Sequence, residues 1–168
     1  MAPAKSKVQK DAPDNDVYDV GPSKDFRQGR GHRVEVAGRP IGIFRHKENV
    51  YALDHHCYHA GGPLSDARDI EDLIITNKQG ESVLHSCVVC PWHKYRISLT
   101  TGEGLYIHVD PFSQRKVEPQ VKSRGFKQRT HKVWEENGRV YVRVNNQNEQ
   151  KFESDYYASE EFQLRVRR

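Results

Sequence analysis

Apolar and polar residues alternate in short runs along most of this chain, with turn residues between them at close intervals. His32-Arg33-Val34-Glu35-Val36 alternates with period two, Ala37-Gly38-Arg39-Pro40 turns, and Ile41-Gly42-Ile43-Phe44 runs on, which predicts a hairpin. Val50-Tyr51-Ala52-Leu53 predicts a third strand, and it leads straight into Asp54-His55-His56-Cys57. Ser82 to Cys87 and Tyr95-Arg96-Ile97-Ser98 predict strands on either side of a second loop, ahead of a turn at Thr101-Gly102-Glu103-Gly104. The strongest hairpin signal joins Thr130 to Trp134 with Arg139 to Val144 around Asn137-Gly138, because Asn-Gly accepts the positive φ angles of a tight hairpin turn. Leu64 to Gly80 reads as a connector with Leu73-Ile74-Ile75 as its core contact, and Pro111 to about Arg124 as a basic, proline-spaced one. Phe152 to Arg168 suits neither period and is expected to pack across the base. No segment keeps a helical period over about ten residues, so the expected class is mainly β.

Composition narrows the picture. Residues 1–16 are rich in Lys, Asp, Ala and Pro with almost no large apolar side chain, so they are expected to form a disordered tail, leaving residues 17–168 as a single domain. The net charge of +4 is spread along 168 residues rather than gathered into a block, which argues against a nucleic-acid partner and for steering toward an acidic protein surface. Three cysteines are an odd number and give no disulfide framework. No run approaches the roughly 18 apolar residues of a membrane span, and the first residues offer no secretory signal. Asp11, Asp14 and Asp16 argue against a mitochondrial presequence, so a soluble, intracellular, cytoplasmic protein is expected, with a monomer as the default.

The chemistry concentrates in two loops. Cys57-Tyr58-His59-Ala60-Gly61-Gly62-Pro63-Leu64 and Cys90-Pro91-Trp92-His93-Lys94-Tyr95 each carry one Cys and one His beside Gly or Pro. The spacings Cys-x-His and Cys-x-x-His differ from the like-with-like pairs of zinc folds and point to two metals. If Cys57 and Cys90 meet on one side, and His59 and His93 on the other, the natural occupant is a [2Fe-2S] cluster. A single zinc held by the same four residues, as a structural or interaction module, is the alternative. Cys87, although in Cys-x-x-Cys spacing with Cys90, is expected to be a buried strand residue, and His55 and His56 to be exposed or supporting groups.

These two motifs resemble the Rieske iron-sulfur signature. The runs from Cys57 to Leu64 and Cys90 to Tyr95, with Thr101-Gly102-Glu103-Gly104 and Asp155-Tyr156-Tyr157-Ala158, are similar to the small soluble Rieske domain-containing proteins of animals. The resemblance implies a Rieske-type fold of antiparallel sheets, with a small cluster-binding subdomain over about residues 51–99 inserted in a β base domain. It implies one [2Fe-2S] cluster on Cys57, His59, Cys90 and His93, with the imidazoles outermost. It also implies an electron carrier between a reductase and an acceptor such as an oxygenase, and not an enzyme. An oxygenase itself would need a further domain with a second iron site.

Two neutralising thiolates instead of four lift the potential to roughly −150 to +300 mV, against about −400 mV for four-Cys centres. High-potential members place hydroxyls where this chain has Tyr95 and Ile97, and staple their loops with a disulfide this chain lacks, so the lower part of that range is expected. Around the ligands, Gly61 and Gly62 are expected to let the backbone close on the metal, Pro63 and Pro91 to stiffen the loops, and Trp92 and Tyr95 to exclude water. Lys94 stands where a small residue is common, and would place a cation beside His93.

Overall fold

The computed structural model describes residues 16–113, 119–146 and 150–166. The expected tail over residues 1–16 lies, but for its last residue, outside the described residues. Eleven strands are described: β1 Val17–Pro22, β2 Gly31–Val36, β3 Arg39–His46, β4 Asn49–Asp54, β5 Ile70–Thr76, β6 Ser82–Val89, β7 Arg96–Ser98, β8 Glu103–His108, β9 Gln120–Phe126, β10 Thr130–Glu136 and β11 Arg139–Arg143. Two short helices follow, α1 Ser154–Ala158 and α2 Glu160–Val166. One antiparallel sheet has the order β1-β11-β10-β4-β3-β2, and a second has the order β5-β6-β7-β8-β9.

The two predicted hairpins form. β2 and β3 pair from Gly31↔Phe44 to Val36↔Arg39, and β10 and β11 close at Glu136↔Arg139 over Asn137 and Gly138, whose φ angles are +50° and +73°. Other elements depart from expectation. The connector after Leu64 contains β5, a full partner of β6, and its burial alternates so that Ile74 is 58% exposed rather than a core contact. The basic connector contains β9, and the turn at Thr101 leads into β8. Exposed strands such as β9, with the polar sequence Gln-Val-Lys-Ser-Arg-Gly-Phe, carry little apolar alternation for a reader to detect.

β3 and β4 separate two cores. Because successive side chains on a strand point to opposite faces, Ile41 and Ile43 enter one cluster with Val34, Val36, Ala52, Val140 and Val142, while Phe44 and Leu53 enter another. The second cluster also holds Cys57, Tyr58, Leu64, Val88, Cys90, Ile97 and Leu99. Both faces of β3 are therefore buried, which accounts for its unbroken apolar run. The floor beneath the two Cys-His loops is thus the reverse face of the first sheet.

At the end of β4 a buried ionic network joins β3, β4 and β10 to the C-terminal helix α1. Asp54 accepts two bonds from Arg39, Nε at 2.7 Å and Nη2 at 2.6 Å. His131 Nδ1 accepts from the Asn145 backbone N–H, so its Nε2 bears the hydrogen that meets Asp54 Oδ1 at 2.9 Å. Arg39 also reaches Asp155 of α1 at 2.9 Å, and Arg129 binds the same carboxylate through Nε and Nη2, each at 2.8 Å. Burial alone would raise the Asp155 carboxyl, but the bonds from Arg129, the Phe152 N–H and Arg39 bring it down to about 2. Burial likewise opposes ionisation of Asp54, and the Arg39 and His131 bonds outweigh it to lower its pKa.

A carboxylate held below its unfolded value of about 3.9 contributes stability above that pH and loses it as pH falls through the folded value. Melting followed by circular dichroism should therefore be flat near neutrality and fall between about pH 4 and pH 2. Asp155→Asn should lower the neutral plateau and flatten this fall; a variant with the wild-type acid profile would show that other carboxylates carry it.

Candidate metal centre

The two loops are the same turn used twice. In the first, the Cys57 N–H donates to Gly62 O (2.8 Å) and the Gly61 N–H donates to Cys57 O (2.8 Å). In the second, the Cys90 N–H donates to Tyr95 O (2.8 Å) and the Lys94 N–H donates to Cys90 O (2.9 Å). In both, the residue four after the Cys has left-handed backbone: Gly61 at φ +78° and Lys94 at φ +59°. In both, two successive backbone N–H groups point back at the sulfur, those of His59 and Ala60 at Cys57, and those of Trp92 and His93 at Cys90. Such a nest of amides favours negative charge on sulfur.

The loops meet sulfur to sulfur and ring to ring. Cys57 and Cys90 are buried in one cluster, and each thiol shifts the ionisation of the other. The Cys57 side chain beside it, with the amides of Trp92 and His93, lowers the Cys90 thiol to about 6, while the Cys90 side chain and burial push Cys57 up. Close approach depends on Gly62, where a Cβ would stand 2.7 Å from Cys90 Sγ and 3.3 Å from the Trp92 indole. His59 and His93 are exposed, with ring centroids 4.9 Å apart and planes nearly perpendicular. Tyr95 stacks on His59 at 3.9 Å, so its ring covers one imidazole face. Trp92 is 56% exposed and edge-on to His93. Pro63 and Pro91 are half-buried, Pro63 bridging to His56 and Pro91 following Cys90 directly, and the Lys94 side chain is exposed. Among the described residues no three His, Cys, Asp or Glu side chains surround a single point. The four candidates come together as two pairs.

Neighbouring groups take other roles. Of the two roles expected for His55 and His56, exposed or supporting, the structure shows the second: the turn after β4 buries them under the loop, His55 onto Ser65 Oγ at 2.7 Å and His56 onto the Gln163 amide at 3.0 Å. Burial, with His56 and Arg33 nearby, pushes His55 down to about 3. Cys87 is a buried β6 residue whose thiol is pushed up to about 12 by burial and the Glu71 and Asp72 carboxylates.

A residue with no signal in the sequence holds the first loop from inside. Gln128, fully buried between β9 and β10, donates from Nε2 to Asp54 O (3.0 Å) and His56 O (2.8 Å), and its Oε1 accepts from the Tyr58 N–H (2.9 Å). One amide thus grips the backbone on both sides of Cys57. In the sequence it is a lone Gln in a basic stretch, and only the fold brings it to a loop about 70 positions earlier.

Residues 17–147 match the family model described as soluble Rieske-type ferredoxin. A human Rieske domain-containing protein is 41% identical over 145 residues, covering 86% of this chain and 85% of its own. The oxygenase component of a 3-ketosteroid-9-alpha-monooxygenase from Rhodococcus rhodochrous is 30% identical over 124 residues, 73% of this chain but 26% of that protein. Among solved structures, the ferredoxin of carbazole 1,9a-dioxygenase from Nocardioides aromaticivorans IC177 aligns with a TM-score of 0.48 at 18% identity, over 76% of this chain and 96% of that one.

Gln128→Met keeps the volume and strands two carbonyls and one N–H, so it should cost about 2–4 kcal/mol in urea unfolding. It should also reduce iron retained on purification. A wild-type midpoint would show that the loop is held by other contacts.

Proposed function

The chain belongs to the soluble Rieske-type ferredoxin family, and from that premise we propose that Cys57, His59, Cys90 and His93 hold one [2Fe-2S] cluster. In this reading the protein passes single electrons from a reductase to a separate acceptor, such as the oxygenase component of an oxidoreductase system. The observation that carries it is the doubled turn, which sets two buried sulfurs side by side and two exposed imidazoles side by side. One pair per iron suits a two-iron group; a lone zinc would call for four side chains around one point.

When bound, the cluster supplies a one-electron redox centre. The chain's own residues set how it is held. Four backbone N–H groups aimed at Cys57 and Cys90 Sγ stabilise negative charge on both thiolates. The apolar floor of Phe44, Leu53, Leu64 and Ile97 keeps water from the sulfurs. Stacking on Tyr95 fixes the His59 ring at the surface where a partner would meet it. Ile97 is buried and has no hydroxyl to offer, and the Tyr95 ring is spent on His59, which supports a potential in the lower part of the Rieske range. We read residues 17–168 as one domain, and the three buried, unbridged cysteines as those of a protein in a reducing, cytoplasmic setting.

The first test is an iron and sulfide count with visible and EPR spectra before and after dithionite. A red-brown protein with a pair of irons, EPR-silent when oxidised and rhombic when reduced, is expected; a colourless protein with one zinc would establish the structural module instead. Redox titration should place the midpoint below about 0 mV, within the histidine-ligated range. Lys94 sits at a backbone conformation that costs a non-glycine residue about 1 kcal/mol. Lys94→Gly should therefore raise stability by about that amount while lowering the midpoint by on the order of tens of millivolts, since a cation is lost beside His93. A midpoint that rises would rule out that electrostatic role.

A further inference from the structure

Helices α1 and α2, of five and seven residues, are far too short to stand without tertiary support. Their support is the ionic network, through Asp155, together with Ser154 Oγ, which accepts the Arg129 N–H at 3.0 Å. Through these bonds the segment packs on the base as expected, and it also touches the first ligand loop. Tyr157 Oη donates to His59 O at 3.0 Å. A Cβ on Gly61 would stand 2.8 Å from Tyr157 Cδ1 and 3.0 Å from Phe162 Cζ, so both rings press on the Gly61 α-carbon. The Gln163 amide meets His56 Nε2 at 3.0 Å and donates to Tyr157 O at 3.2 Å. His56, His59 and Gly61 are thus gripped from outside, while Gln128 grips Asp54, His56 and Tyr58 from inside.

The cover is one-sided. In the second loop Trp92, His93 and Lys94 are exposed. The covering segment also lies beyond residues 17–147, the stretch that matches the family model. We infer that the C-terminal helices are a clamp that positions the first ligand loop, with Tyr157 fixing the His59 backbone and Phe162 pressing the loop closed. This rests on the reading that the loops hold the cluster. The clamp slows loss of the cluster and sets the orientation of the His59 ring relative to His93, acting through the backbone rather than by touching the metal group.

The test compares full-length wild type, Tyr157→Phe, Phe162→Ala and Leu164→Ala, the last a 62% exposed control on α2 beside Phe162. Three readouts are taken: iron release to a chelator, the reduced EPR spectrum, and the melting temperature. Tyr157→Phe should release iron about fivefold faster, the equivalent of one lost hydrogen bond, and Phe162→Ala about tenfold or more faster. Both should shift the rhombic g values while Leu164→Ala leaves release and spectrum unchanged. Wild-type release rates and g values in both variants, or release that merely tracks melting temperature across all three, would overturn the clamp. Should Phe162→Ala fail to fold, Tyr157→Phe, which removes one hydroxyl, decides alone. A colourless wild type would overturn the underlying reading and the clamp with it, and is seen before any variant is made.

Discussion

The buried carboxylate of Asp54 is the point on which the rest of the molecule is set. A charge taken out of water must be paired on all sides, and removing one partner costs more than the pair itself contributes. The partners of Asp54 come from three elements: Arg39 from β3, His131 from β10, and Ser154 of α1, whose Oγ donates to Asp54 Oδ2 at 3.5 Å. Satisfying that one group brings the end of β4, the start of β10 and the C-terminal helix to the same place. Three residues later the chain reaches Cys57. The network specifies where the ligand loop starts more than it adds to net stability.

From that start, symmetry does much of the remaining work. Each loop closes with the Cys N–H bonded five residues ahead and the Cys carbonyl accepting from four residues ahead. The histidines sit at different offsets, two and three after their cysteines, so the turns are alike in backbone and unlike in side chain. Gly61 fills the left-handed position at no steric cost and leaves room for Tyr157 and Phe162, whereas Lys94 fills it at a cost and stays open to solvent. The backbone of one loop is therefore braced by the C-terminal helices and that of the other is left open, while both imidazoles stay exposed.

Much of this was legible from residue types alone. Alternation at His32 to Phe44 and the Asn137-Gly138 pair marked hairpins because their strands bury one face and their turn needs positive φ. Cys-x-His and Cys-x-x-His beside Gly and Pro marked the candidate ligands, since few other folds need that pairing. β5, β8 and β9 were not legible as strands of a second sheet, because β9 is largely exposed, β5 has no fully buried residue and β8 buries only Gly104 and Leu105, so pairing more than apolar alternation holds them extended. The burial of His55 and His56 was equally hidden, as it follows from a turn and not from local sequence.

The sequence by itself determined the β class, the two loops and the types of atom they can offer to a metal, because these depend on local periodicity and on side-chain chemistry. The tertiary structure alone decided that Cys faces Cys and His faces His, and that Gln128 and Tyr157 grip one loop from opposite sides. Those contacts join residues far apart in the chain, and which of them meet is fixed by strand register and by the pairing demanded of a buried charge, neither of which leaves a mark on any single stretch of residues.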